Sequence, residues 1–308
     1  MNPRRPKSEV RPSTGSGRRE LVERRSPKSA EPRSSKPHPT SDAGHRTSDD
    51  QRRFEGWQGW DEYAAFYDWE NRQTMGRRDV RFWQDMARRM GGPVLELGCG
   101  TGRVSFPVAR TGVDLVGVDR SDRMLSHARR HLNRARASNR PLFVRADIRA
   151  LPFVGRSPFA LVMAPYGILQ SLVDDDDLMA TLRSVARVSR PGTTFGIDLV
   201  SDVPAWEEYR GRVRMRGRGP RGSRIWLVES VRQDRDRHLT IFDQEYTEHR
   251  GKVRRVQRFS LAFRTLALPE MLGRVESAGF TVEAVLGDYE GRRWDLRADV
   301  WLIVARKC

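Results

Sequence analysis

The sequence predicts an α/β protein: a doubly wound, seven-stranded, mostly parallel sheet with an inserted antiparallel β-sheet and a disordered N-terminal tail. Three observations carry this. Short apolar runs alternate with amphipathic stretches from residue 94 to residue 199, the pattern of a parallel sheet covered by helices on both faces. Between 203 and 265, apolar runs follow one another with no helical stretch between them. Residues 1–52 are rich in Pro, Ser, Arg and Gly and almost free of apolar side chains, so they bury too little surface to offset the entropy of ordering the chain.

The elements follow in order. Aromatics begin abruptly at Phe54 and continue through Trp57, Trp60, Tyr63, Phe66, Tyr67 and Trp69; their spacing of three to four predicts one face of a helix. A second helix is expected over Asp79–Met90, ended by Gly91-Gly92-Pro93. Apolar runs then predict strands at Val94–Leu97, Asp114–Asp119, Leu142–Val144, Phe159–Met163 and Thr194–Leu199. Between them, helices are expected over Val104–Ala109, from a Ser121 cap through Met124, Leu125, Ala128 and Leu132, and over Leu178–Val188. Asp174-Asp175-Asp176-Asp177 precedes the last of these, where negative charge favours a helix N-terminus. The insertion shows strands at Trp226–Val231, Leu239–Phe242 and Phe259–Phe263, and the alternating arginines from 210 to 224 suit the wet face of a strand or an anionic ligand. A helix at Pro269–Ala278 and strands at Thr281–Leu286 and Val300–Ala305 complete the sheet. The expected division is therefore a tail (1–52), a core with N-terminal lid helices (53–202), an inserted antiparallel subdomain (203–265) and a C-terminal completion of the core sheet (266–308).

Composition narrows the function classes. No apolar run reaches membrane-spanning length, and the basic N-terminus has no apolar segment of a secretory signal. Two cysteines, Cys99 and Cys308, build neither a disulfide framework nor a metal site; a reducing cytoplasm is the simplest setting. The net charge of +17 is shared between the first 53 residues, with 14 basic and 7 acidic side chains, and the rest. A basic body suits nucleic acid or a phosphorylated substrate, and an Arg-rich bias with many solvated side chains accounts for it equally.

The chemistry is concentrated in Val94-Leu95-Glu96-Leu97-Gly98-Cys99-Gly100-Thr101-Gly102, which joins a strand to a helix. Gly98 and Gly100 let the backbone approach a ligand, and Gly102 lets helix and strand pack. The spacing is G-x-G-x-G, not the G-x-G-x-x-G of dinucleotide sites. Glu96, an acid two residues before the first glycine, disfavours a pyrophosphate there and favours a cationic amino-acid moiety. Asp119 ends the next strand, where an acid accepts both ribose hydroxyls of a nucleoside or caps a helix. Asp147 follows the third strand; it suits an adenine amino group, with Ile148 on the ring face, or a simple turn.

These residues, with Val118-Asp119-Arg120-Ser121, Met124-Leu125 and Arg190-Pro191-Gly192, resemble the motifs of the class I S-adenosylmethionine-dependent methyltransferases, a Rossmann-like family. The resemblance covers residues 60–200 by motif and 266–306 by fold pattern. It implies S-adenosyl-L-methionine as cofactor. By it, Gly98, Cys99 and Gly100 contact the methionine and ribose parts, and Asp119 holds the ribose. Arg120 and Met124 flank the adenine, with Asp147 and Ile148 on its other edge. Tyr67 covers the methionine end, and the Ala164 carbonyl receives the ammonium. Tyr166 and Gln170, in the loop after the fourth strand, orient the substrate. The expected activity is methyl transfer to N or O of a small-molecule acceptor. RNA or protein acceptors, and non-catalytic cofactor binding, are the alternatives; nucleic acid is not favoured, because the Asn/Asp-Pro-Pro motif of base-amine methylation is absent around Ala164-Pro165-Tyr166. The oligomeric state is open between monomer and homodimer.

Overall fold

The computed structural model describes residues 55–74, 78–134, 140–153, 159–200, 207–298 and 300–308; the tail expected over 1–52 lies outside them. The chain begins with helices α1 (Trp60–Asn71) and α2 (Arg78–Met90). Strand β1 (Val94–Leu97), helix α3 (Ser105–Ala109), β2 (Leu115–Asp119), α4 (Asp122–Arg134) and β3 (Leu142–Arg145) follow. Next come β4 (Leu161–Ala164), α5 (Asp175–Val188) and β5 (Thr194–Val200). Four antiparallel strands, β6 (Tyr209–Arg218), β7 (Arg224–Asp234), β8 (Leu239–Arg250) and β9 (Val253–Arg264), precede α6 (Leu268–Ser277), β10 (Phe280–Leu286) and β11 (Val300–Lys307).

Two sheets result. The seven-stranded sheet has the order β10-β11-β5-β4-β1-β2-β3, and the second the order β6-β7-β8-β9. In the larger sheet β3, β2, β1, β4 and β5 are parallel, while β11 runs antiparallel to both β5 and β10. This is the doubly wound, mostly parallel sheet with a separate antiparallel sheet that the sequence predicts.

Strand alternation distributes the core over both faces. Val162 and Ala164 of β4 join Leu178, Leu182 and Val185 of α5 and Met271 and Val275 of α6 on one face. Leu161 and Met163 join Phe82, Trp83 and Met86 of α2 and Val108 of α3 on the other. Trp83 is fully buried, and Gly196 of β5 makes room for it: a Cβ there would lie 2.9 Å from the indole. Truncating a buried Trp of this kind costs about 3–5 kcal/mol.

The smaller sheet packs on α1. Tyr63, Phe66 and Trp69 meet Ile225 and Leu227 of β7, Tyr246 of β8 and Leu261 of β9, with Phe66 stacked on Tyr246 at 4.1 Å. The insertion differs from expectation in extent. β7, β8 and β9 run for 11, 12 and 12 residues, because polar alternation carries each strand past its apolar centre. β6 is a ten-residue edge strand whose arginines at 210, 212, 214, 216 and 218 are exposed, the charged surface that protects an unpaired edge. Among the described residues no helix is long and apolar enough to cross a membrane.

Candidate active site

Gly98, Gly100 and Gly102 all have positive φ, at 60°, 55° and 84°. The G-x-G-x-G spacing is thus a backbone requirement, since other residues adopt this region only at a cost. The turn is tied across the sheet by Asp119. One carboxylate oxygen accepts from the Gly100 N–H and the other from the Ser121 N–H, both at 2.8 Å. Burial pushes the Asp119 carboxyl up to about 6, against these backbone donors, which favour the charged form. Ser121 caps α4 in turn, its Oγ accepting from the Met124 N–H at 3.0 Å.

A cavity of about 310 Å³ opens over this turn, within the range of small-molecule pockets. Gly98, Gly100, Asp119, Arg120 and Met124 line one side. Asp147 and Ile148 line another, and Tyr67 reaches it from α1. Asp147 is held by Arg149, whose Nη2 donates at 2.7 Å. Against the pull of partial burial, those hydrogen bonds keep its carboxyl below the usual range. Arg149 also binds Asp177 of α5 at 2.8 Å, so the last acid of the four-Asp run buttresses the cavity as well as the helix terminus.

The remaining sequence-nominated residues are not in the cavity wall. Cys99 is buried, with its side chain against Gly117, and burial pushes its thiol well up. Ala164 is fully buried in the sheet. Glu96 shares the face of β1 that carries Val94, and its carboxylate accepts from Ser105 Oγ of α3 at 2.6 Å. Glu96 thus supports the start of α3 from below the glycine turn. Burial pushes it up to about 8, so it carries a proton near neutrality. A carboxyl raised in the folded state contributes stability that is fully present below its unfolded value, near 4.5, and is lost as pH rises through about 8. Glu96→Gln is therefore expected to narrow the stability loss between pH 5 and pH 9, measured by urea unfolding at both; an unchanged difference would rule out the buried proton.

Gln170 is likewise a brace. Its amide donates to the Val200 carbonyl at 3.1 Å and accepts from the Val200 N–H at 2.9 Å. That ties the 3₁₀ turn Ile168–Ser171 to the end of β5. Tyr166 has a φ of 56° and its ring lies 5.0 Å from the Arg103 guanidinium, beside the cavity but not lining it.

Sequence reasoning missed two features. Trp57 and Trp60 line the cavity, with Arg120 stacked over Trp57 at 4.9 Å; the abrupt aromatic onset was their signal. The second is a polar cluster at the ends of β4 and β5. Arg103 binds Asp79 of α2 bidentately, at 2.8 and 2.6 Å, and hydrogen-bonds Tyr67. Asp198 accepts from the Tyr166 N–H at 3.2 Å and Tyr289 Oη at 2.9 Å. Burial pushes Asp198 up to about 7. Among the described residues, no group of three His, Cys, Asp or Glu is arranged to hold a metal ion.

Residues 94–192 match the methyltransferase-domain family. The O-methyltransferase resE of Aspergillus sclerotiorum is 30% identical over 202 residues, which cover 62% of this chain and 73% of that protein. The chain belongs to the class I S-adenosylmethionine-dependent methyltransferases. The cypemycin N-terminal methyltransferase of a Streptomyces species is 27% identical over 242 residues, 73% of this methyltransferase and 87% of that one. In fold, it is similar to the CcbJ methyltransferase from Streptomyces caelestis, with a TM-score of 0.63 at 23% identity, covering 75% of this chain and 90% of that one. The methyltransferase spans half or less of the length of the first curated relatives it matches.

Two observations test whether the site fits the family's cofactor. A Cβ on Gly100 would meet nothing nearer than Met124 Sδ at 4.0 Å, so the turn faces open space of ligand size. Arg103 Nε is a buried donor with no partner among the described residues, beside Tyr67 of the cavity wall, and a carboxylate such as that of a methionine moiety would satisfy it. The residues of this methyltransferase fit S-adenosylmethionine.

Proposed function

We propose that this methyltransferase transfers the methyl group of S-adenosylmethionine to N or O of a small-molecule acceptor. The observation that carries the reading is the compact cavity over the glycine turn, walled by Asp119 and roofed by α1 and its aromatic approach. The division of the chain into a cofactor-binding core (53–202), an inserted subdomain (203–265) and a C-terminal completion (266–308) belongs to the same proposal.

When bound, the cofactor supplies a methyl group on a sulfonium, a leaving group already activated by its charge. The protein's task is then alignment and exclusion of water. Asp119, ionised at neutral pH, accepts the ribose hydroxyls. Arg120 and Met124 hold one edge of the adenine, Asp147 and Ile148 the other. Arg103, fixed by Asp79, offers Nε to the carboxylate. Tyr67, Trp57 and Trp60 exclude water from α1 and the segment before it. An acceptor amine that arrives neutral needs no general base; a hydroxyl does.

Calorimetric titration with S-adenosylmethionine and S-adenosylhomocysteine tests this. Micromolar binding is expected, and Gly100→Arg is expected to abolish it while the fold persists. The space above Gly100 accepts the side chain, and the strain of a positive φ costs about 1–2 kcal/mol. A folded wild-type protein that binds neither compound would defeat the proposal.

A further inference from the structure

A second cavity, larger than the one over the glycine turn, lies elsewhere on the surface. It measures about 890 Å³ and shares no lining residue with the first. It lies toward the C-terminal end of α1. Trp60, Asp61 and Tyr67 of that helix line the first cavity, whereas Ala65, Asp68 and Trp69, with Arg72 just past its end, line the second.

Its wall is strongly basic. Arg72, Arg130, Arg218, Arg221, Arg250 and Arg255 line it, from α1, α4, the β6–β7 turn and the β8–β9 hairpin. Two carboxylates, Asp68 and Glu248, oppose them. Asp68 is already engaged, accepting from Thr101 Oγ1 at 2.6 Å and lying 3.4 Å from His131 Nε2. No ion pair among the described residues engages any of the six arginines. Elsewhere in the same chain arginines do find carboxylates, as Arg149, Arg232, Arg258 and Arg306 show. An Arg-rich composition accounts for solvated arginines in general. It does not account for six unpaired ones converging on one concavity from four elements far apart in sequence. Arg221 also sits at a φ of 56°, left-handed backbone that costs a non-glycine residue about 1–2 kcal/mol and places its side chain in this wall.

We propose that this cavity is an accessory binding site for a small polyphosphate, a ligand carrying two or three linked phosphate groups. A single phosphate is matched by one or two guanidinium forks; six on four elements match a chain of them. The wall disfavours a nucleic-acid strand, which stacks its bases on exposed rings. Its one indole, Trp69, is buried, with Nε1 donating to the Arg218 carbonyl at 3.1 Å, and the wall holds no Phe or Tyr; its other rings are the imidazoles of His127 and His131, the latter 3.4 Å from Asp68. A polyphosphate here ties α1 to α4 and to both hairpins of the smaller sheet. Through Asp68 and Thr101 its wall touches the glycine turn. The inference does not depend on the methyl-transfer reading.

The test is calorimetric titration of the full chain with sodium tripolyphosphate at about 50 mM salt, where phosphate contacts are weakly screened. Saturable binding is expected for the wild type. The double variant Arg130→Glu/Arg255→Glu should weaken it at least about ten-fold. A control with the same charge change on exposed arginines of α2 and α5, Arg89→Glu/Arg183→Glu, should leave it within about two-fold. If the double variant is misfolded by circular dichroism, Arg130→Gln replaces it, with a smaller loss expected in the same direction. Absence of binding, equal weakening by the control, or tighter binding of an oligouridylate than of tripolyphosphate would each overturn the proposal.

Discussion

Asp79→Ala is expected to destabilise the protein by about 3–5 kcal/mol, the range for removing one partner of a buried ion pair. The Asp79 side chain is 0% exposed and that of Arg103 13%, and both guanidinium nitrogens that Asp79 receives lie within hydrogen-bond distance. Burial alone would lower the pKa of Arg103; the hydrogen bond to Asp79 outweighs it and keeps the guanidinium charged. Removing the carboxylate leaves that charge buried, with only Tyr67 and the Tyr166 ring beside it among the described residues. Urea unfolding at pH 7 measures the loss. The double variant Asp79→Leu/Arg103→Met should recover much of it, because the cost lies in the orphaned charge more than in the missing attraction. A loss below about 1 kcal/mol for the single variant would show that water reaches Arg103 and that the pair is effectively a surface one.

Asp119→Ala is expected to weaken S-adenosylmethionine binding by about 1.5–3 kcal/mol, or about ten- to 150-fold, the range for hydrogen bonds to a charged group. The side chain does two things at once: it faces the cavity, and it fixes the Gly100 and Ser121 N–H groups. Asp119→Asn is not a mild change here. An amide sets its own NH₂ against one of those two backbone donors, so it too should lose affinity. The wild-type affinity should fall as pH drops through about 6, because burial raises this carboxyl to that value and protonation removes the charged acceptor. Calorimetry across pH 5–8 reads both effects. Unchanged affinity in Asp119→Ala would remove the ribose assignment.

Much of this architecture was legible in the sequence because the core strands are short apolar runs stopped by glycine or acid, and because positive-φ positions leave glycine in the chain. Gly98, Gly100 and Asp119 could be read together for that reason. Side-chain direction could not be read from residue type. An acid at the end of a strand suggested a ligand for Glu96, whereas strand alternation sends it beneath α3 to Ser105. Asp79 and Arg103 lie 24 residues apart in sequence, and nothing local in either segment announces their pairing. The insertion was under-read because β6 presents arginine where a strand search looks for valine or isoleucine; its alternation was visible, its length was not. Gln170 stands in a loop beside the site, where a bracing role and a substrate role look alike until partners are known.

The way α1 is held sets where water can reach its seam with the core. Most of its apolar side lies against the smaller sheet, with Met124 the one buried contact from α4 in that cluster. Its ties to the glycine turn and the start of α4 are otherwise polar: Asp68 to Thr101 and Asp61 to Ser121. Polar ties exchange readily for water, whereas apolar contacts resist separation. The smaller sheet is itself anchored to the core by Val173, buried with Leu239, Ile241 and Ala262, so α1 parts most easily at its polar contacts with the glycine turn and not along its apolar side.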